Sequence, residues 1–225
     1  MSDTRDRRTL PLFPLPNVVL FPGVRTPLHI FEPRYRQMTA AALAGDRQIG
    51  MIAVRPEHTD DMAGDPPLFS VGCAGVIAES EPLADGGYNI VLHGLERFRI
   101  LREPARDETR LYRTAEVELL DDPFEAHERP RVLELHARVI ELFTGLIRLT
   151  APERAGDVTP ALFQGIEPAT LSNTLCHLLD LPPLDKQGLL ESHGVRERLE
   201  RRAGALEFRA AELALHRGEG ESTRH

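Results

Sequence analysis

The apolar residues of this chain change their period once, and that change limits the fold more than any other feature. From Leu10 to about Leu120 they come in short runs bounded by glycine and proline, as strands do. After Asp121-Asp122-Pro123 they recur at steps of three and four. Val132, Leu135, Val139, Leu142, Leu146 and Leu149 then share one face of a long amphipathic helix. The pattern predicts an α+β protein, strand-rich first and helical second, with its boundary near residue 122.

Within the first half the expected strands are 10–13, 17–21, 26–30, 48–54, 69–79, 88–94, 97–103 and 112–120. Asp85-Gly86-Gly87 lies between two apolar runs and reads as a hairpin turn, because glycine accepts the positive φ such turns need. Gly72 and Gly75 inside one run suggest a bulge or bend. One helix interrupts the strands, opening at Pro33 and closing at Gly45. Pro11, Pro14, Pro16, Pro22 and Pro27 precede it. Lacking an N–H, they require early strands that are short, at an edge or broken by turns.

In the second half, a helix from Pro168 to about Asp180 should follow the long one. Leu181-Pro182-Pro183 stops it, and Asp185 is placed to cap a short helix. The final helix begins after Gly194 with Leu199, Ala203, Leu206, Ala210 and Leu213 on one seam. The expected organisation is a disordered start at 1–9, a β-rich part at 10–121, a helical part at 122–217 and a disordered tail at 218–225. There is no internal repeat.

Composition narrows the partners. A formal charge of −8 disfavours nucleic acid and anionic membrane, which select basic faces. The first residues lack the apolar core of a secretory signal, and no run approaches the roughly 18 apolar residues a membrane-spanning helix needs. Cys73 and Cys176 lie far apart in apolar contexts and read as buried thiols in a reducing compartment, the cytoplasm.

Catalytic patterns are missing. No phosphate-binding G-x-x-x-x-G-K-[ST] string occurs, and Lys186, the sole lysine, sits at an exposed helix start rather than in an apolar pocket that would lower its pKa. No G-x-S-x-G elbow surrounds Ser70, Ser80, Ser172 or Ser192. Metal ligation is unsupported. His93 and Glu96 flank an expected turn at Gly94, His127 and His136 are too far apart on their helix, and His177 diverges from Cys176. Glu79, Glu81 and Asp85 read as a solvated loop. Arg196, Arg198, Arg201, Arg202 and Arg209, interleaved with glutamates, read as an exposed salt-bridged helix face. The reading is of a protein with no catalytic residues, no cofactor and no metal.

The stretch Leu10–Phe31 is different. It is densely apolar yet broken by prolines, so part of it should stay at the surface, and exposed apolar patches mark interaction sites.

This same stretch, LPLFPLPNVVLFPGVRTPLHIFEPRYRQM, resembles the opening of the Lon protease N-terminal (substrate-binding) domain family. The likeness continues through DRQIGMI, DGGYNIVLHGLERFRI, YRTAEVELL and KQGLLE, covering nearly all of residues 10–215. The resemblance implies a curved, PUA-like β pseudo-barrel with one inserted helix, followed by a helical bundle. The family's ATPase and protease modules find no counterpart here. What the resemblance carries over is recognition of unfolded or apolar polypeptide segments or of a partner protein, including an adaptor role in protein quality control. Phe13, Leu15, Val18, Phe21, Phe31 and Tyr35 are the positions it offers for a shared groove. Glu32 and Arg34 match too, with capping and bracing of the helix start as their expected role.

Two other classes compete: an enzyme or small-molecule binder with a site in the crease between the halves, and a nucleic-acid accessory protein suggested by shape alone, which the net charge opposes. Periodicity leaves monomer and homodimer equally open.

Overall fold

The computed structural model describes residues 7–62, 64–105, 109–122, 125–179 and 181–222. Among them are six strands, β1 (Arg7–Leu15), β2 (Arg25–Ile30), β3 (Gln48–Ala53), β4 (Val71–Pro82), β5 (Tyr88–Arg102) and β6 (Thr114–Leu120). The five α-helices are α1 (Pro33–Ala44), α2 (Arg129–Thr150), α3 (Pro168–Leu178), α4 (Pro183–Glu191) and α5 (Gly194–Ser222). They form two compact units. One comprises residues 1–121 and 173–191, the other 122–172 and 192–225. The division differs from a single cut near 122, because the sheet unit also takes the end of α3 and all of α4.

The strands form one mixed sheet in the order β2-β5-β4-β3-β1-β6, and β6 pairs again with the second half of β5. The sheet therefore curls into a pseudo-barrel rather than a closed barrel, with β2 left outside as an edge strand. β1 changes partners midway: residues 7–11 pair with β6, and 12–15 run parallel to β3. The change falls at Leu12, which pairs with Gly50 of β3 and still donates its N–H to the Arg113 carbonyl beside β6 at 2.8 Å. This change of partner is how Pro11 and Pro14 fit a strand without leaving a ladder position unfilled.

Three apolar clusters fill the sheet unit. One gathers Phe13, Leu20, Ile30, Met38, Ile49, Met51 and Leu92 beneath α1. A second packs Leu12, Ile52, Phe98 and Val117. A third joins Val19, Phe21 and Val71 to Cys176, Leu189 and Leu190. Polar bonds stitch α4 to the sheet at the same place. Gln187 donates from Nε2 to the Val71 carbonyl at 2.9 Å, and buried Arg97 donates to the carbonyls of Leu190 at 2.9 Å and Asp121 at 3.0 Å. The KQGLLE string thus serves structure: Gln187 bonds, Leu189 and Leu190 fill the core, and Glu191 accepts from Gln187 at 2.9 Å.

In the second unit α2 and α5 bury facing seams. Val132, Leu135, Val139, Phe143 and Leu146 line α2, and Val195, Leu199, Ala203 and Leu206 line α5. Arg198 lies on the buried side of α5 and meets the Asp122 carboxylate through two bonds, at 3.0 and 2.6 Å.

Several local expectations need correction. Residues 17–21 form no strand. They run as a loop whose Val19, Leu20 and Phe21 are buried, crossing β5 so closely that a Cβ at Gly94 would lie 2.2 Å from the Phe21 carbonyl. Gly94 is no turn either: the runs expected at 88–94 and 97–103 merge into one strand, β5, which ends at Arg102, with a register shift where Ala74 and Gly75 face Glu96 and Gly94. The Asp85-Gly86-Gly87 turn does form, with Gly86 at φ 83°. α1 ends without a left-handed Gly45, whose φ is −114°. Arg47 takes the positive φ, 63°, held by its Nε bond to the Ile77 carbonyl at 2.8 Å. Asp185 lies inside the first turn of α4 rather than capping it. Arg7–Thr9 belong to β1 and 218–222 to α5, although disorder was expected there; residues 1–6 and 223–225 lie outside the described residues. So do Pro123, placed at the boundary, and Asp180, expected near the end of α3.

The arginine-rich face of α5 is only partly solvated. Arg196 and Arg201 are surface residues in ion pairs, whereas Arg198 and Arg202 are fully buried.

Candidate functional site: the outer face around strand β2

β2 pairs with β5 alone, register Arg25↔His93 through Ile30↔Tyr88, and its other edge carries no strand among the described residues. Alternation sends Thr26 and Ile30 inward, with Leu28 packed half-buried against the core, and leaves Arg25, Pro27 and His29 exposed on the outer face. Pro27 has no N–H, so it fits only with that side turned away from β5; it also removes one donor from the open edge. Main-chain strand addition is interrupted there.

The neighbouring strands complete the surface. Val91 and Glu79 lie in the row of Pro27, and Asn89 and Glu81 in the row of His29. Together these residues line a shallow depression of about 560 Å³. His29 Nδ1 lies 2.9 Å from Asn89 Oδ1, and Asn89 Nδ2 donates to Glu81 at 3.3 Å. Phe31, 59% exposed, follows directly and stacks on the His29 ring, centroids 5.9 Å apart at 24°. Rigid apolar groups (Pro27, Val91, Phe31) are thus set among acids. Glu79 is paired with Arg25, and Asp85 lies 3.7 Å from Arg36. The Asp85 carboxyl is held below its ordinary pKa, chiefly by the bond it accepts from the Gly87 N–H and then by Arg36. These acids are engaged with side chains and backbone, as a solvated hairpin would have them. Among the described residues no three His, Cys, Asp or Glu side chains gather as they would around a metal ion.

The six sequence-derived positions do not share one exposed groove. Phe13 and Tyr35 are core residues packed edge to face, 4.6 Å between centroids, and Phe21 is wholly buried in a different cluster. The Tyr35 hydroxyl donates to the Pro14 carbonyl at 3.2 Å, and burial pushes its pKa up to about 12. Leu15 and Val18 are half-buried against the cluster that holds Phe13 and Tyr35. Phe31 alone of the six presents a largely free ring. Glu32 makes no side-chain cap to α1; it pairs with Arg34 at 2.8 Å, and Arg34 lies over the Tyr35 ring at 4.6 Å, so the two brace the helix start without capping it. Pro27, His29, Asn89 and Val91 escaped the sequence reading, because they gather only when β2 pairs with β5.

A curved mixed sheet with one open edge, followed by helices, defines an α+β architecture, and comparison with known proteins supplies the family. The profile of the ATP-dependent protease La (LON) substrate-binding domain matches residues 9–207, and the chain belongs to that family. A Lon protease of Paraburkholderia phytofirmans is 31% identical over 214 residues, 95% of this chain and 26% of that protein. The Lon protease of Escherichia coli K12 is 31% identical over 195 residues, 87% of this chain and 24% of that protein. The chain thus spans about a quarter of the length of the curated relatives it matches. Among solved structures, the N-terminal domain of a Mycobacterium avium complex Lon protease superposes with a TM-score of 0.70 at 19% identity, covering 89% of this chain and 98% of that one. A Lon N-terminal domain protein from Xanthomonas campestris gives 0.57 at 24% identity, covering 86% and 96%. Both share the fold.

Proposed function

We propose that this chain is a non-catalytic recognition module that binds unfolded or apolar polypeptide segments through the outer face of β2, β5 and β4. Phe31 is the anchor and the Glu81 side is the polar rim. One observation carries the reading: a 59%-exposed aromatic ring, held against His29, beside an edge strand whose other side pairs with no strand among the described residues. Such a ring supplies large contact area at low entropic cost, as binding hot spots do. Membership of a substrate-binding family supports the same reading. The acidic rim favours segments that mix apolar and basic residues. An adaptor role in protein quality control follows if the bound segments belong to clients of a separate protease. Both cysteines are buried and neither is in a disulfide among the described residues, which supports a cytoplasmic setting.

The test is fluorescence anisotropy with labelled apolar-basic and apolar-acidic peptides on the wild type and a folded Phe31→Ala variant. The basic peptide should bind more tightly to the wild type, and the variant should bind it about tenfold more weakly, the loss of a modest hot spot. Equal affinity in wild type and Phe31→Ala would sink the reading.

A further inference from the structure

Arg202 is 0% exposed, and among the described residues none of its Nε, Nη1 and Nη2 atoms has a hydrogen-bond partner. Other buried side chains leave single nitrogens or oxygens unmatched; among the buried side chains of the described residues Arg202 alone has every nitrogen unmatched. A guanidinium stays protonated at any physiological pH and offers five N–H donors in a planar fork, so it cannot escape the cost of burial by losing its charge. Four other arginines of α5 meet carboxylates: Arg196 with Glu128, Arg198 with Asp122, Arg201 with Glu197 and Arg209 with Glu212. Asp122, the acid nearest in kind, already gives both oxygens to Arg198, one turn before Arg202.

We propose that Arg202 is the cation of an internal oxyanion site, filled by a ligand from outside the chain. A planar fork selects a group with two coplanar oxygens, a carboxylate or one edge of a phosphate. Arg198 is the built-in precedent, since the chain supplies its carboxylate as Asp122, whereas for Arg202 the described residues supply none. Arg202 lies in the helical unit and β2 in the sheet unit, so the two readings are tested separately. Because the side chain is enclosed, the anion enters by local opening of the helices, and binding is slow to equilibrate.

The experiment is thermal unfolding of the full chain after long equilibration with inorganic phosphate, acetate or chloride at equal ionic strength. The wild type is compared with Arg202→Met, which keeps length and removes charge. Phosphate or acetate should raise the wild-type midpoint by about 3 °C or more over chloride through mass action, and leave Arg202→Met unmoved. Whichever anion acts identifies the source chemistry. In the absence of oxyanion Arg202→Met should be at least as stable as the wild type, because an unpaired buried charge has been removed. A midpoint that moves equally in both proteins, or a marked loss of stability in Arg202→Met without oxyanion, overturns the proposal. Should the variant not fold, phosphate and acetate titration calorimetry on the wild type decides: one saturable site supports the assignment, and none up to tens of millimolar, about the weakest useful affinity, overturns it.

Discussion

The two units bury arginine in different ways, and the contrast shows what each is built to tolerate. In the sheet unit Arg97 is enclosed yet satisfied by backbone carbonyls at Leu190 and Asp121, so one charged side chain ties α4 to the sheet. In the helical unit Arg198 is matched by the Asp122 carboxylate, and Arg202, one turn on, by nothing described. The end of β6 and the last turn of α4 leave carbonyls that can accept such bonds. The interior of a long helix spends its carbonyls on its own ladder, so a guanidinium facing inward from the middle of α5 must find a carboxylate or a ligand.

Substitutions can break this comparison, beginning with the largest effect. Phe21→Asp places an unpaired carboxylate in the cluster that joins the 17–24 loop to α4. A loss above about 4 kcal/mol is expected, seen as failure to give a cooperative unfolding transition. Asp122→Ala removes the carboxylate that accepts two bonds from buried Arg198. It should cost roughly 3–5 kcal/mol in urea unfolding, more than any single change at Arg202. Arg97→Met should cost less, about 1–3 kcal/mol, since it strands two carbonyls rather than a charge. If Asp122→Ala proves milder than Arg97→Met, the contrast between the units fails.

A smaller effect concerns pH. Burial first, and the Lys186 charge second, hold the His177 pKa below its ordinary value; burial does the same for His136. The folded protein resists a proton that the unfolded chain takes up near about pH 6.5. Stability is therefore insensitive to these groups above that pH and declines as pH falls below it, until the folded histidines protonate as well. Replacing His177 with Gln should flatten the fall in thermal midpoint between about pH 7.5 and 5.5. The smallest stability effect belongs to Phe31→Ala, expected within about 0.5 kcal/mol of wild type because the ring is exposed. Its effect on peptide binding should be far larger, which separates a recognition surface from a packing one.

Much of the architecture was legible before the structure, for local reasons. Alternation and turn chemistry located β2 to β4, the Asp85-Gly86-Gly87 turn and β6, and the three-and-four spacing located α2 and α5. Residues 17–21 misled because a buried apolar loop and a buried short strand have the same composition. Only the crossing over Gly94 tells them apart. The arginines of α5 misled because alternation with glutamate looks the same whether a side chain points outward or into the fold. The candidate site suffered most. Phe13, Phe21 and Tyr35 are as aromatic as Phe31, and nothing in their spacing distinguishes a core ring from a free one.

The chain by itself determined which segments are strands or helices, where the period turns over, and to which family the protein belongs. Those properties depend on neighbours a few residues apart, and the sequence displays them directly. Tertiary structure alone decided that α4 joins the sheet unit, through bonds spanning 93 and 116 residues. It also decided that Phe31 stays out while Phe21 goes in, and that Arg202 is enclosed without an acid among the described residues. Burial is a property of the assembled surface, and each of these outcomes is set by residues that meet only after the chain has folded.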